Sequence, residues 1–153
     1  MKKITSILFA AALLFSITAQ AQNKPVKPSD FHGAVADQKS YQVVYQLNSD
    51  EDKIIKATMK NLMNALEDPR LKGKLEAELV VHGGGVAVFK KDGPYQEQLK
   101  ALQAKGVILA ECENTLRERK ISKDELFDFI SFVPSGNGEI IIRQQQGWAI
   151  VHP

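Results

Sequence analysis

Leu75-Glu-Ala-Glu-Leu-Val-Val81 runs directly into His82-Gly83-Gly84-Gly85. A short run rich in apolar residues and bounded by glycine reads as a strand that exits into a tight turn. Upstream, Tyr41-Gln-Val-Val-Tyr-Gln-Leu47 is aromatic and β-branched, which predicts a first strand. Between the two, Ser49-Asp50-Glu51-Asp52 places acids where they favour a helix dipole. Ile55, Met59, Leu62, Met63 and Leu66 then recur at helical spacing until Asp68-Pro69 stops the helix.

The same alternation continues downstream. Val86-Ala-Val-Phe89 fits strand or helix. Pro94 opens a helix with Tyr95, Leu99 and Leu102 on one face, closed at Gly106. Val107-Ile-Leu-Ala110 predicts a third strand that leads into a loop, Glu111-Cys112-Glu113-Asn114-Thr115. Two capping boxes follow: Thr115 with Glu118, and Ser122 with Glu125, the second starting a helix that carries Leu126, Phe129 and Ile130. Phe132-Val133 predicts a brief fourth strand. Glu139 to Gln146 is ambiguous: Ile140-Ile141-Ile142 favours strand, and Gln144-Gln-Gln146 before Gly147 favours helix, which is the reading adopted. Trp148 to Val151 predicts a last strand. Strands alternating with helices predict an α/β fold, a three-layer α/β sandwich with a mainly parallel sheet.

The chain ahead of Tyr41 reads differently. Lys2 and Lys3 precede an apolar stretch from Ile4 to Ile17, and Ala19-Gln20-Ala21 supplies small residues, so residues 1–21 read as a secretory signal peptide. Residues 22–40, with Pro25 and Pro28, read as a flexible leader, and 41–153 as the domain. The expected protein is exported, periplasmic or secreted, with no membrane association once the signal is cleaved. The chain has 20 Lys+Arg against 18 Asp+Glu, and the excess is Lys2 and Lys3. The exported part is formally neutral, which removes support for a nucleic-acid partner. A single cysteine excludes an internal disulfide. His32, His82 and His152 are too scattered for a metal set, so neither metal nor cofactor is expected.

In a parallel sheet, residues at the carboxyl ends of strands line the ligand crevice. Two unusual segments fall there: His82 to Gly85 after the second strand, and Glu111 to Thr115 after the third. Cys112 reads either as a reactive thiol at a solvent-accessible strand exit or as a buried small hydrophobe. The helix following it favours a thiolate, while Glu111 and Glu113 oppose one. Gly83, Gly84 and Gly85 fit a backbone cradle for an anion or sulfur group, or a plain tight turn. His82 fits a base or hydrogen-bond donor, or a turn residue.

Val80-Val81-His82-Gly83-Gly84, Leu102-Gln-Ala-Lys-Gly-Val107, Cys112-Glu-Asn-Thr-Leu116, Val133-Pro-Ser-Gly136 and Arg143-Gln-Gln-Gln-Gly-Trp148 together resemble the DsrE/DsrF-like family. The resemblance spans Tyr41 to Pro153. It implies a three-layer α/β sandwich assembling as a homotrimer or hexamer. It also implies sulfur-relay chemistry, in which a cysteine accepts a persulfide sulfur from a donor protein or molecule and passes it to an acceptor. Cys112 matches the sulfur-accepting position. Asn114 and Thr115 match the motif around it without an assigned role. The export signal departs from the cytoplasmic relay members. The leading expectation is a persulfide-carrying, sulfurtransferase-like protein whose Cys112 charge is stabilised by the Gly83 to Gly85 amides and Asn114. The alternative is a non-enzymatic oligomeric module that binds a small ligand or partner, with a structural cysteine.

Overall fold

The computed structural model describes residues 27–153, so the predicted signal peptide lies outside the described residues. Val35–Pro153 forms one compact unit. Its five strands are β1 (Tyr41–Leu47), β2 (Leu75–Val81), β3 (Ile108–Cys112), β4 (Ser131–Val133) and β5 (Ala149–Val151). They form a single sheet in the order β4-β3-β2-β1-β5, and every neighbouring pair is parallel. The helices are α1 (Asp52–Glu67), α2 (Gln96–Ala104), α3 (Glu113–Arg119) and α4 (Gly136–Gln145). The expected three-layer α/β arrangement is what forms.

The two sheet faces differ in what covers them. Val43, Tyr45, Leu47, Ala77, Leu79, Val81 and Leu109 point into the main core. There they meet Ile55, Met59 and Leu62 of α1, Leu99 and Leu102 of α2, and Leu116 of α3. Each such fully buried aliphatic contributes about 1.5–3 kcal/mol relative to exposure. On the opposite face Val44 and Val80 pack with Trp148, joined by Ile140 of α4 and Ile150 of β5. Among the described residues α4 is the helix that crosses this second face, because the chain must run from β4 at one edge of the sheet to β5 at the other.

Several local expectations are corrected. β3 does not stop at Ala110 but continues through Glu111 and Cys112, which pair with Phe132 and Val133 of β4. Thr115 is not an N-cap: α3 starts at Glu113, with Cys112 in the cap position. The Ser122–Glu125 capping box is present, yet it closes only a 3-10 turn over Lys123–Glu125. The chain beyond it is held by other contacts: Leu126 bridges to Lys90, and Phe127 stacks on Phe129 with centroids 5.2 Å apart. Val86–Phe89 belongs to a 3-10 segment over Gly83–Phe89. Glu139–Gln146 is helical up to Gln145, as adopted, but α4 begins earlier, capped by Ser135 whose Oγ accepts from Gly138 N at 3.2 Å.

Candidate functional site

Parallel pairing of β2 with β3 sets their carboxyl ends side by side, so His82 and Cys112 leave the sheet as neighbours on the α4 face. The start of α4 closes over both. Glycine at 136 eases this approach: a Cβ there would lie 3.1 Å from the Cβ of His82, tighter than ordinary contact, and 3.4 Å from that of Cys112. A cavity of about 170 Å³ remains, lined by His82, Gly83, Cys112, Asn114, Thr115, Glu118, Ser135 and Asn137.

Cys112 is no exposed loop residue. It ends β3 and is 5% exposed, buried by its neighbours but facing the cavity. Burial pushes its thiol up, and hydrogen bonds pull it further down: from the backbone N–H of Gly136, the hydroxyl of Thr115, and the backbone N–H groups of Thr115 and Asn114. The net direction is below an ordinary cysteine, since donors aimed at sulfur stabilise the thiolate. Thr115 is held for this task. Its Oγ1 accepts from Gly83 N at 2.8 Å, which leaves its own proton for the sulfur.

The glycine segment does something other than expected. Gly83 N–H goes to Thr115, Gly84 N–H to the Asn48 carbonyl at 3.1 Å, and Gly85 N–H to the His82 carbonyl at 3.0 Å. All three donors are committed within the protein, so they do not cradle a ligand. Gly85 is there for space: a Cβ would sit 2.3 Å from the Leu47 carbonyl oxygen. Gly84 and Gly85 are absent from the cavity wall, whereas Gly83 lines it.

His82 faces the cavity with Gln46 Nε2 at 2.8 Å from its Nε2. With the Gln46 amide as donor, the imidazole is neutral and carries its proton on Nδ1. Burial lowers its pKa, and His152 lowers it further, which suits a base or acceptor rather than a cation. Asn114 contributes its backbone N–H to the thiol, while its side-chain oxygen accepts from Arg117 at 2.5 Å. Glu113, expected to oppose the thiolate, is paired with Lys123 at 2.5 Å.

Ser135, Gly136 and Asn137 also belong to the site, although no motif in the sequence marks them as site groups. Their signal was the Ser135 cap followed by two small residues, which brings a helix start to the end of a neighbouring strand. Glu118, half of the expected Thr115 capping box, lines the cavity. Among the described residues no group of three His, Cys, Asp or Glu side chains converges as a metal set.

This fold, with a hydrogen-bonded cysteine at the carboxyl edge of a parallel sheet, defines an α/β-sandwich protein with a thiol site. The DsrE/DsrF-like family model matches residues 39–153, and the chain belongs to that family. Among solved structures it is similar to MTH1491, a protein of unknown function from Methanobacterium thermoautotrophicum. That pair shares 32% identity and a TM-score of 0.70 over 74% of this chain and 100% of the other. BT1422 from Bacteroides thetaiotaomicron, also of unknown function, is 13% identical with a TM-score of 0.56, over 73% of this chain and 94% of that one. The ychN protein from E. coli is 15% identical with a TM-score of 0.55, over 76% and 100%. These last two share the fold. No curated protein matches the chain.

Proposed function

We propose that this protein is an exported sulfur carrier that holds a transferable sulfur atom as a persulfide on Cys112. The observation that carries this reading is the convergence of three backbone N–H groups and the Thr115 hydroxyl on one thiol at the edge of a cavity. Such an arrangement favours the charged, nucleophilic form of the thiol without a metal or a cationic side chain. Family membership supports sulfur-relay chemistry as the class.

In the loading step Cys112 thiolate attacks the outer sulfur of a hydropersulfide donor, R–S–SH. The new bond is Cys112 Sγ–S, the donor S–S bond breaks, and R–S⁻ leaves with the electron pair and takes a proton from water. Discharge is the reverse attack by an acceptor thiolate on the outer sulfur. Asn137, Ser135 and His82 line the space in which the incoming sulfur would lie.

Self-association is part of the proposal. Ile141 and Ile142 of α4 and Ile108 of β3 are exposed at 61%, 54% and 40%, a supply of apolar surface suited to a homotrimer or hexamer. The test is direct. Purified protein exposed to hydrogen polysulfide gains one sulfur atom by intact mass, and Cys112→Ser gains none. An unloaded wild type, under conditions where a control thiol carrier loads, contradicts the proposal.

A second reading rests on the low exposure of Cys112: a non-enzymatic module that binds a small ligand or partner at this edge, with the cysteine structural. It requires slow alkylation of the native thiol and full function in Cys112→Ser.

A further inference from the structure

Glu111 precedes Cys112 on β3 and points to the opposite face of the sheet, into the main core. Its side chain is 0% exposed, and among the described residues neither carboxylate oxygen has a side-chain hydrogen-bond partner. Its strand neighbours are Val81 on β2 and Phe132 on β4, both apolar. The nearby 3-10 segment contributes Val86, Val88 and Phe89 to the same core and no ionisable group. An ionised carboxylate in such a place lacks both water and a paired cation, and the burial of an unpaired charge is what proteins avoid most strongly.

We propose that Glu111 is a positioning residue for Cys112: its carboxyl stays protonated while the thiolate forms, so that the two adjacent side chains hold one negative charge between them. This rests on the reading of Cys112 as the reacting thiol. The charge settles on sulfur because sulfur has more donors than the carboxyl. Three N–H groups and the Thr115 hydroxyl meet a charge on Cys112, whereas a charge on Glu111 meets the Cys112 backbone N–H and no side-chain donor. Burial raises the Glu111 carboxyl to about 8, and the charge of Cys112 adds to the rise; a bond to the Cys112 backbone and the exposed Arg119 of α3 pull weakly the other way. Facing Cys112 are neutral His82 from the end of β2, Glu118 of α3 across the cavity, and the α4 start, which brings Gly136 but no charged side chain within the cavity wall. Two groups coupled this closely lose their protons as a pair. By reciprocity, whatever thiolate formation does to Glu111, ionisation of Glu111 does to the thiol.

Two measurements test this without any sulfur donor, so the outcome is separable from that of the sulfur-carrier proposal. Infrared difference spectra of the wild type at pH 7 should show the carbonyl band of a neutral carboxylic acid. That band should be absent in Glu111→Gln and should titrate at lower pH in Cys112→Ser. The rate of Cys112 alkylation against pH should rise in the wild type while the acid band persists. In Glu111→Gln it should rise over the same range, because the amide stands in for a carboxyl that is already neutral when the thiolate forms. A wild type with no neutral-acid band at pH 7 overturns the inference. So does an alkylation profile of Glu111→Gln displaced to lower pH by about one unit or more, which would mean that the carboxyl was charged before the thiol.

Discussion

The sheet buries two glutamates, one on each face, and the protein treats them in opposite ways. Glu78 of β2 lies under α4, and Arg143 of that helix meets it with Nε at 2.7 Å. The same guanidinium reaches Glu139 at 2.8 Å and lies 4.3 Å from the Trp148 ring centroid. Burial raises the Glu78 carboxyl, with Arg143 pulling against it. Glu111 of β3 lies on the other face with no side-chain partner for either oxygen among the described residues. The first acid fastens α4 to the sheet through an ion pair. The second fastens nothing, and its nearest consequence is electrostatic, at the thiol next to it. A buried acid with a cation is an anchor; without one it is a titrating group.

The largest effect should come from breaking the anchor. Arg143→Met leaves Glu78 buried and unpaired and should lose about 3–5 kcal/mol in urea unfolding. Adding Glu78→Gln should return most of that loss. A double variant no more stable than the single one would mean that the ion pair is not what holds α4.

The opposite outcome is expected at Glu111. Its folded value of about 8 lies above the ordinary 4.5, so the native state binds an extra proton between those limits. Wild-type stability therefore falls as pH rises through that window and is flat on either side. Glu111→Gln lacks this slope, and the variant should be the more stable by on the order of 3 kcal/mol at pH 7, the gap closing below about pH 4.5. Thermal unfolding at a series of pH values reads this directly.

Two smaller changes act on the thiol itself. Gly136→Ala places a methyl group against His82 and Cys112, tight enough that these neighbours must yield by a few tenths of an ångström, and should cost about 1 kcal/mol. It should also lift the α4 N–H off the sulfur, slowing Cys112 alkylation at neutral pH. Thr115→Val removes one donor to the sulfur and leaves Gly83 N–H without its acceptor, worth about 1 kcal/mol. Its thiol should ionise at higher pH than the wild type, by ultraviolet thiolate absorbance.

The contrast also explains which parts of the fold were legible in the sequence. β1 and β2 are strands over the residues expected, because an apolar run between turn residues has few other outcomes. Glu78 did no harm to that reading, being enclosed by Leu75 and Val81. At the end of β3 the same chemistry misled: Glu111-Cys112-Glu113 resembles a solvated loop, since acids are rarely fully buried. The strand continues there because β4 pairs with it, a contact between residues far apart in sequence. The closeness of His82 to Cys112 followed from parallel strand order and was foreseeable. The arrival of Gly136 was not, because it depends on where α4 begins after β4. Likewise the glycine run was visible, but its amide partners, Asn48 among them, come from another strand end.

The account stands on Cys112 accepting a sulfur atom and giving it up again. Protein loaded with hydrogen polysulfide, desalted, and then mixed with an excess of a small thiol should show by time-resolved intact mass one added sulfur that disappears as the thiol hydropersulfide forms. A Cys112 that never gains the sulfur, or gains it and never releases it to any thiol, contradicts the account.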